Sequence, residues 1–275
     1  MTSERKSRKP YVISEDIHIL LSEWAKRRGF TIPPDKFFKQ LRQEMQECLE
    51  KIFGVGNVDM VSARELRTGM RKFIRQTGLP AVSMDRVYIR TNPKIQVSRM
   101  IDESLTHWDI GPRFGALPIS EQLLRVKERF DEIVLVDDVI FSGEVITEIL
   151  RSLEAIGVKV PIVVAGIAIG KGARMLKAAT NSMFLTTRYY KDIIDEICER
   201  DFYPGIPLSG RLVKRRVVET YYSTCAAGDS EEYFDYYWVD TTKETGAPYL
   251  YPFGKPNIWA SIPKDKEKKF SIFCL

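Results

Sequence analysis

The sequence predicts an α/β fold, a largely parallel sheet flanked by helices, with a helical N-terminal region and an irregular C-terminal extension. Three observations carry this expectation. Ile133-Val134-Leu135-Val136 and the run at 162–169 read as strands buried on both faces, and 184–189 reads as a third strand. Ile146, Ile149, Leu150 and Leu153 fall at helical spacing after the first strand, with Gly157 placed for a C-cap. Further helical patterns cover about 172–180 and 191–199. Strands that alternate with helices point to a parallel sheet, because each crossover helix returns the chain to the same end.

The remaining elements follow along the chain. Residues 1–12 read as a mobile basic arm. Ser14 is placed to cap a helix, and Glu15 and Asp16 suit its positive end. Ile17, Leu20, Leu21 and Trp24 give that helix one apolar stripe, which ends near Lys26-Arg27-Arg28-Gly29. After Ile32-Pro33-Pro34 a second helix runs from about Asp35 to Phe53 on Phe37, Leu41, Met45, Leu49 and Ile52, and a third covers 62–77. The texture changes near residue 84. Arg86-Val87-Tyr88-Ile89-Arg90 reads as a strand that stops before Asn92-Pro93, a loop-rich stretch follows, and 119–130 suits a short helix. The chain thus divides into a helical region at 1–80, an α/β core at 81–215, and an extension at 216–275 rich in tyrosine, glycine and proline.

Composition narrows the function classes. With 275 residues, 44% hydrophobic and 29% charged, the chain can bury a core without disulfide or metal staples. Lysine and arginine total 42 against 37 acidic residues, a net charge of +5, which suits phosphorylated ligands but does not make a nucleic-acid binder. No apolar run approaches the roughly 18–20 residues of a membrane-spanning helix, and no apolar core follows the basic start, so neither a membrane nor secretion is expected. Cys48, Cys198, Cys225 and Cys274 lack zinc spacing and read as reduced thiols of a cytoplasmic protein. His18 and His107 have no partner at useful spacing and read as structural or surface residues.

The segment that carries chemistry runs from Ile133 to Val145. A buried strand delivers Asp137 and Asp138 at its carboxyl end, where ligands of open α/β sheets sit. A short loop with Ser142 and Gly143 then opens a helix, whose unpaired N–H groups and dipole suit a phosphate. Gly143 lets the backbone approach an anion closely. The two carboxylates would repel a phosphate, so they call for ribose hydroxyls, or for magnesium with its waters. Together these features predict a phosphorylated sugar as ligand.

This segment resembles the signature of type I phosphoribosyltransferases, which bind 5-phosphoribosyl 1-diphosphate (PRPP): four apolar residues, two acidic residues, a spacer, then Thr/Ser-Gly-x-Thr/Ser. The resemblance implies a phosphoribosyltransferase-like fold at about 84–200. It also implies phosphoribosyl transfer to or from a base, in the glycosyltransferase class, with magnesium as cofactor. Asp137 and Asp138 would be the catalytic pair and hold the ribose hydroxyls. Ser142, Gly143, Glu144 and Val145 would bind the 5′-phosphate, mainly through backbone N–H groups. Magnesium would come with the ligand, with Asp137 and Asp138 as side chains in reach. Val145 departs from the family, which has a hydroxyl there. Thr147 cannot stand in for it, because i and i+2 do not share a helix face.

By the same resemblance, Lys94 and Arg99, after the first sheet strand, are candidates for the pyrophosphate; their alternative is solvated surface charge. Arg113, in Gly111-Pro112-Arg113-Phe114-Gly115, could cap the leaving group from a mobile loop, or mark a plain surface turn. Asp201 and Phe202 are candidates to bind and stack the base. The loop around them, and Trp259-Ala260-Ser261-Ile262-Pro263, look similar to divergent phosphoribosyltransferase-like proteins of bacterial stress and antiviral defence operons. Two rivals remain open: a non-catalytic PRPP or nucleotide sensor, with nucleic acid as a weakly supported partner, and an effector subunit in a defence complex or homo-oligomer.

Overall fold

The computed structural model describes residues 9–28, 31–101, 107–113, 116–199 and 210–212. Its elements run β1 (Tyr11–Ser14), α1 (Ile17–Arg28), α2 (Asp35–Phe53), β2 (Val58–Val61), α3 (Ala63–Thr77), β3 (Ala81–Ser83), β4 (Val97–Ile101) and β5 (His107–Pro112). There follow α4 (Ile119–Lys127), β6 (Glu132–Ile140), α5 (Glu144–Ala155), β7 (Lys159–Ile169), α6 (Gly170–Ala179), β8 (Met183–Tyr190), β9 (Asp195–Cys198) and β10 (Gly210–Leu212).

The central sheet has the order β3-β6-β7-β8, all parallel. The middles of β6 and β7 are apolar because both of their faces are covered. Ile133 and Leu135 of β6 point into a core with Leu123, Val126, Ile149 and Leu153, under α4 and α5. Val134 and Val136 alternate to the other face, against Leu66 and Met70 of α3. A second parallel sheet, β2-β1-β9, pairs Tyr11 with both Val58 and Asp195. Met45 and Leu49 of α2 cover it, and Phe53 stacks on Tyr11 with ring centroids 4.6 Å apart. In the third, β10-β4-β5, β4 and β5 are antiparallel. The fold is therefore α/β with largely parallel sheets flanked by helices. No helix of the described residues is long and apolar enough to cross a membrane.

Several local expectations give way to other structures. Tyr11 and Val12 belong to a buried strand rather than a mobile arm. Short strands accompany the N-terminal helices, β1 before α1 and β2 between α2 and α3, too brief for periodicity to reveal them. The α2 stripe is rotated: Phe38, Met45 and Leu49 are buried, while Phe37 and Ile52 are exposed. The first strand of the central sheet is Ala81–Ser83, and 86–88 is a bend. The helix expected at 191–199 is replaced by β9, which completes the β1 edge. Gly111 and Pro112 lie buried within β5 rather than in a loop. The extension at 216–275 lies outside the described residues.

Candidate functional site

Asp137 and Asp138 lie just inside the carboxyl end of β6, which continues through Val139 and Ile140, paired to Ile167 and Ala168 of β7. Strand alternation alone would send their side chains to opposite faces. Each carboxylate also bonds the amide that follows it: Asp137 Oδ1 accepts the Asp138 N–H at 3.0 Å, and Asp138 Oδ1 accepts the Val139 N–H at 2.9 Å. Burial holds the Asp137 carboxyl well above the usual carboxylate range, helped by the charge of Asp138 and a hydrogen bond between their side chains. The backbone here is closely packed. A Cβ on Gly166 of β7 would stand 2.6 Å from the Asp138 carbonyl oxygen.

A third carboxylate joins them. Asp85, just beyond β3, is buried, and burial and the charge of Asp138 push it up to about 7. Three backbone N–H groups, of Val87, Tyr88 and Ile89, donate to it and pull the other way. The same bonds explain why 86–90 is no strand: N–H groups that a ladder would need are taken by an aspartate side chain. Sequence reading missed Asp85 because it placed the strand after this residue rather than before it. Among the described residues no ion pair reaches Asp85, Asp137 or Asp138.

The loop after β6 leads into α5 through Gly143, whose φ of +84° is left-handed. A Cβ there would also meet the Gly172 carbonyl oxygen at 2.8 Å, so Gly143 is fixed by conformation and by contact with α6. Ser142 Oγ accepts the Glu144 N–H at 3.4 Å, and Gly143 itself supplies no side-chain cap to the helix. Glu144 is exposed at the first turn. Val145 is partly buried against the core that holds Leu123 and Ile146. Thr147 is buried, and its hydroxyl has no hydrogen-bond partner. Phe141, in the spacer, is 39% exposed.

The other predicted residues scatter. Lys94 is exposed and forms a parallel bridge with Ser83, which brings it to the carboxyl end of β3 on the side away from β6. Arg99 pairs with Ile110 between β4 and β5, and its side chain lies outside the described residues. Arg113 follows β5, and its guanidinium donates to the carbonyls of Val97 at 3.0 Å and Met84 at 2.9 Å, tying β4 to the segment after β3. Asp201 and Phe202 lie outside the described residues. His18 stacks on Phe38 and pairs with Asp35 at 3.3 Å, a structural placement.

A second acidic group ends the smaller sheet. Glu199 is fully buried and accepts the N–H groups of Asp16 and Ile17 at the start of α1. Arg42 of α2 bridges it at 3.0 Å to Glu15 at 2.9 Å. Burial still pushes Glu199 up to about 7, against the pull of Arg42. Tyr88 joins the two groups: its backbone N–H bonds Asp85, and its hydroxyl donates to the Glu15 carbonyl at 2.9 Å.

Magnesium takes hard oxygen ligands in an octahedron and keeps several of its waters. Among the described residues no three acidic, histidine or cysteine side chains converge as a metal-holding group. Two carboxylates at one strand end could supply at most part of such an ion's shell, the rest falling to water or a bound ligand.

No protein-family model and no curated protein matches the chain. Among solved structures, the chain is similar to the UMP synthase of Leishmania donovani at 15% identity and a TM-score of 0.27. The match covers 46% of this chain and 27% of that one, so the chain spans well under half the length of the structure it matches.

Proposed function

We propose that the chain binds PRPP or a related ribose phosphate at the carboxyl end of β6, and transfers phosphoribose to or from a base. One observation carries this reading: Asp137 and Asp138 stand together near the end of β6, ahead of a glycine turn and a helix whose N-cap, Gly143, has no side chain to cap it. The carboxylates suit the ribose hydroxyls, which donate, and the N–H groups of 143–145 suit the 5′-phosphate, which accepts. Lys94 stands at the same sheet end for the diphosphate, with Arg99 the second candidate. In transfer, the bond from C1′ to the diphosphate oxygen breaks and a bond from C1′ to a base nitrogen forms, and positive charge gathers on the sugar between the two. Asp137 and Asp138 would hold the sugar and favour that charge. Magnesium, when bound, neutralises the departing diphosphate.

Val145 favours a second reading, a non-catalytic sensor of PRPP or nucleotide, including an effector subunit of a defence system. Its side chain packs into the core where the family places a hydroxyl, so the phosphate loop lacks one donor. The two readings part on turnover. Incubation with PRPP, magnesium and each standard base should release pyrophosphate if the chain is an enzyme. Calorimetric binding of PRPP without any pyrophosphate release would establish the sensor, and no binding of any ribose phosphate would overturn both.

A further inference from the structure

The helices on the two faces of the central sheet differ in charge. On one face α5 exposes Glu144, Glu148 and Glu154, with Arg151 among them. On the other, α3 carries Arg64, Arg67, Arg71, Lys72 and Arg75, and its one acid, Glu65, is bridged by Arg188 of β8. At about 100° per residue, Arg64, Arg71 and Arg75 project within about 40° of one another, with Arg67 and Lys72 on the two flanks. Arg64, Arg71, Lys72 and Arg75 are exposed. Arg67 is partly buried, and its Nε has no hydrogen-bond partner. Among the described residues none of these cations joins an ion pair.

Nothing within the fold accounts for this stripe. The dipole of a helix disfavours cations in its first turn, yet Arg64 is the second residue of α3. Arg67 and Arg71 stand four apart, as do Arg71 and Arg75, a spacing at which like charges repel. The packing of α3 comes from its other side, where Leu66 and Met70 are buried and Phe73 and Ile74 pack beside them. A local arrangement that works against the fold, with no partner inside it, is expected where a ligand compensates.

We propose that this face of α3 binds the phosphate backbone of a nucleic-acid duplex. A net charge of +5 spread evenly would not achieve this. Here cations gather on one face of the sheet and acids on the other, a field that draws a polyanion to α3. From Arg64 to Arg75 the helix rises about 16 Å, along which a duplex offers a charge about every 1.7 Å. Guanidinium groups grip phosphate oxygens two at a time. α3 exposes no large apolar side chain. A membrane-surface helix needs such residues to insert, a protein interface needs them for its core, and a single strand needs aromatics to stack its bases. A duplex backbone needs only the charge. Backbone contacts carry no base sequence, so binding is independent of sequence. The proposal stands apart from the ribose-phosphate reading and survives its failure.

The test is fluorescence anisotropy of the full chain with a labelled DNA duplex of about 20 base pairs, between about 50 and 200 mM salt. The logarithm of affinity should fall against that of salt with a slope of about −4, roughly −0.9 for each phosphate engaged. Arg71→Gln with Arg75→Gln should weaken binding at least about tenfold and reduce the slope by about two. Both residues are exposed and glutamine is a good helix former, so the thermal midpoint should hold. Lys36→Gln with Lys39→Gln, exposed on α2, makes the same change in net charge and should leave affinity within about threefold. Undiminished binding by the α3 variant, an equal loss in the α2 variant, or no duplex binding by the unaltered chain would overturn the proposal. Polyglutamate and phosphatidylserine vesicles serve as competitors. If either displaces the duplex as well as unlabelled DNA does at equal charge, the face belongs to an acidic protein or a membrane, and the proposal fails.

Discussion

Two groups of carboxylates sit at the carboxyl ends of two parallel sheets, and the fold treats them differently. Glu15 and Glu199, at the ends of β1 and β9, close on Arg42, and Glu199 also receives two N–H groups at the start of α1. Asp85, Asp137 and Asp138, at the ends of β3 and β6, lie near enough for their charges to influence one another, and among the described residues no cation pairs with them. The first group is internally compensated and ties α1, α2, β1 and β9 together. The second sets Asp85 and Asp137, whose ionisation burial and a neighbouring charge disfavour, with Asp138 ahead of a helix start. Perturbed groups without an internal partner gather where a ligand completes the chemistry. On the proposed reading, the first group is architecture and the second is where the ligand binds.

The largest effect should come from removing the compensation. Arg42→Met leaves Glu199 buried and Glu15 partly buried without their cation, at a cost of roughly 3 kcal/mol, the low end for breaking a buried pair because Arg42 is itself 20% exposed. A denaturant melt checks this, and an unchanged midpoint would remove Arg42 from the architecture.

Next comes the pH response of that group. The folded Glu199 carboxyl, at about 7, lies above its ordinary value of 4.5, so between those pH values the folded chain binds the extra proton. Its contribution to stability is full below about 4.5 and is lost as pH rises toward about 7. Asp85 adds the same sign from 3.8 to about 7. Glu199→Gln should therefore flatten, without abolishing, the fall in thermal midpoint across this window. A slope as steep as that of the unaltered chain would show that Glu199 does not hold the proton.

The smallest effect is expected at Val145. Because its side chain packs against the core, Val145→Thr places its hydroxyl near apolar groups rather than in the phosphate loop. PRPP affinity should change less than about tenfold, with a modest loss of stability for the unpaired hydroxyl. A gain above tenfold would show a pocket damaged only at this position.

Much of this arrangement was legible before the structure. The strand and helix alternation from 119 to 190 could be read because buried parallel strands and amphipathic helices differ in period, and Asp137, Asp138, Ser142 and Gly143 stood out against that frame. β1 and β9 were not legible. Each has four residues, and each is defined by pairing with a segment distant in sequence. Asp85 escaped because Arg86-Val87-Tyr88-Ile89-Arg90 has strand composition, and local side-chain bonding overrode that propensity. Arg113 does follow the strand, but its two carbonyl partners come from other segments and were not legible.

The central claim is that Asp137 and Asp138 serve a ligand rather than the fold. The most direct measurement is calorimetric binding of PRPP with magnesium to the unaltered chain and to the Asp137→Asn, Asp138→Asn double variant, with a thermal melt of each. Asparagine keeps the carbonyl oxygen that accepts the neighbouring N–H and removes the crowded charge, so the midpoint should hold or rise while binding is lost. Unchanged affinity in the double variant, or a midpoint that collapses along with binding, would contradict the account.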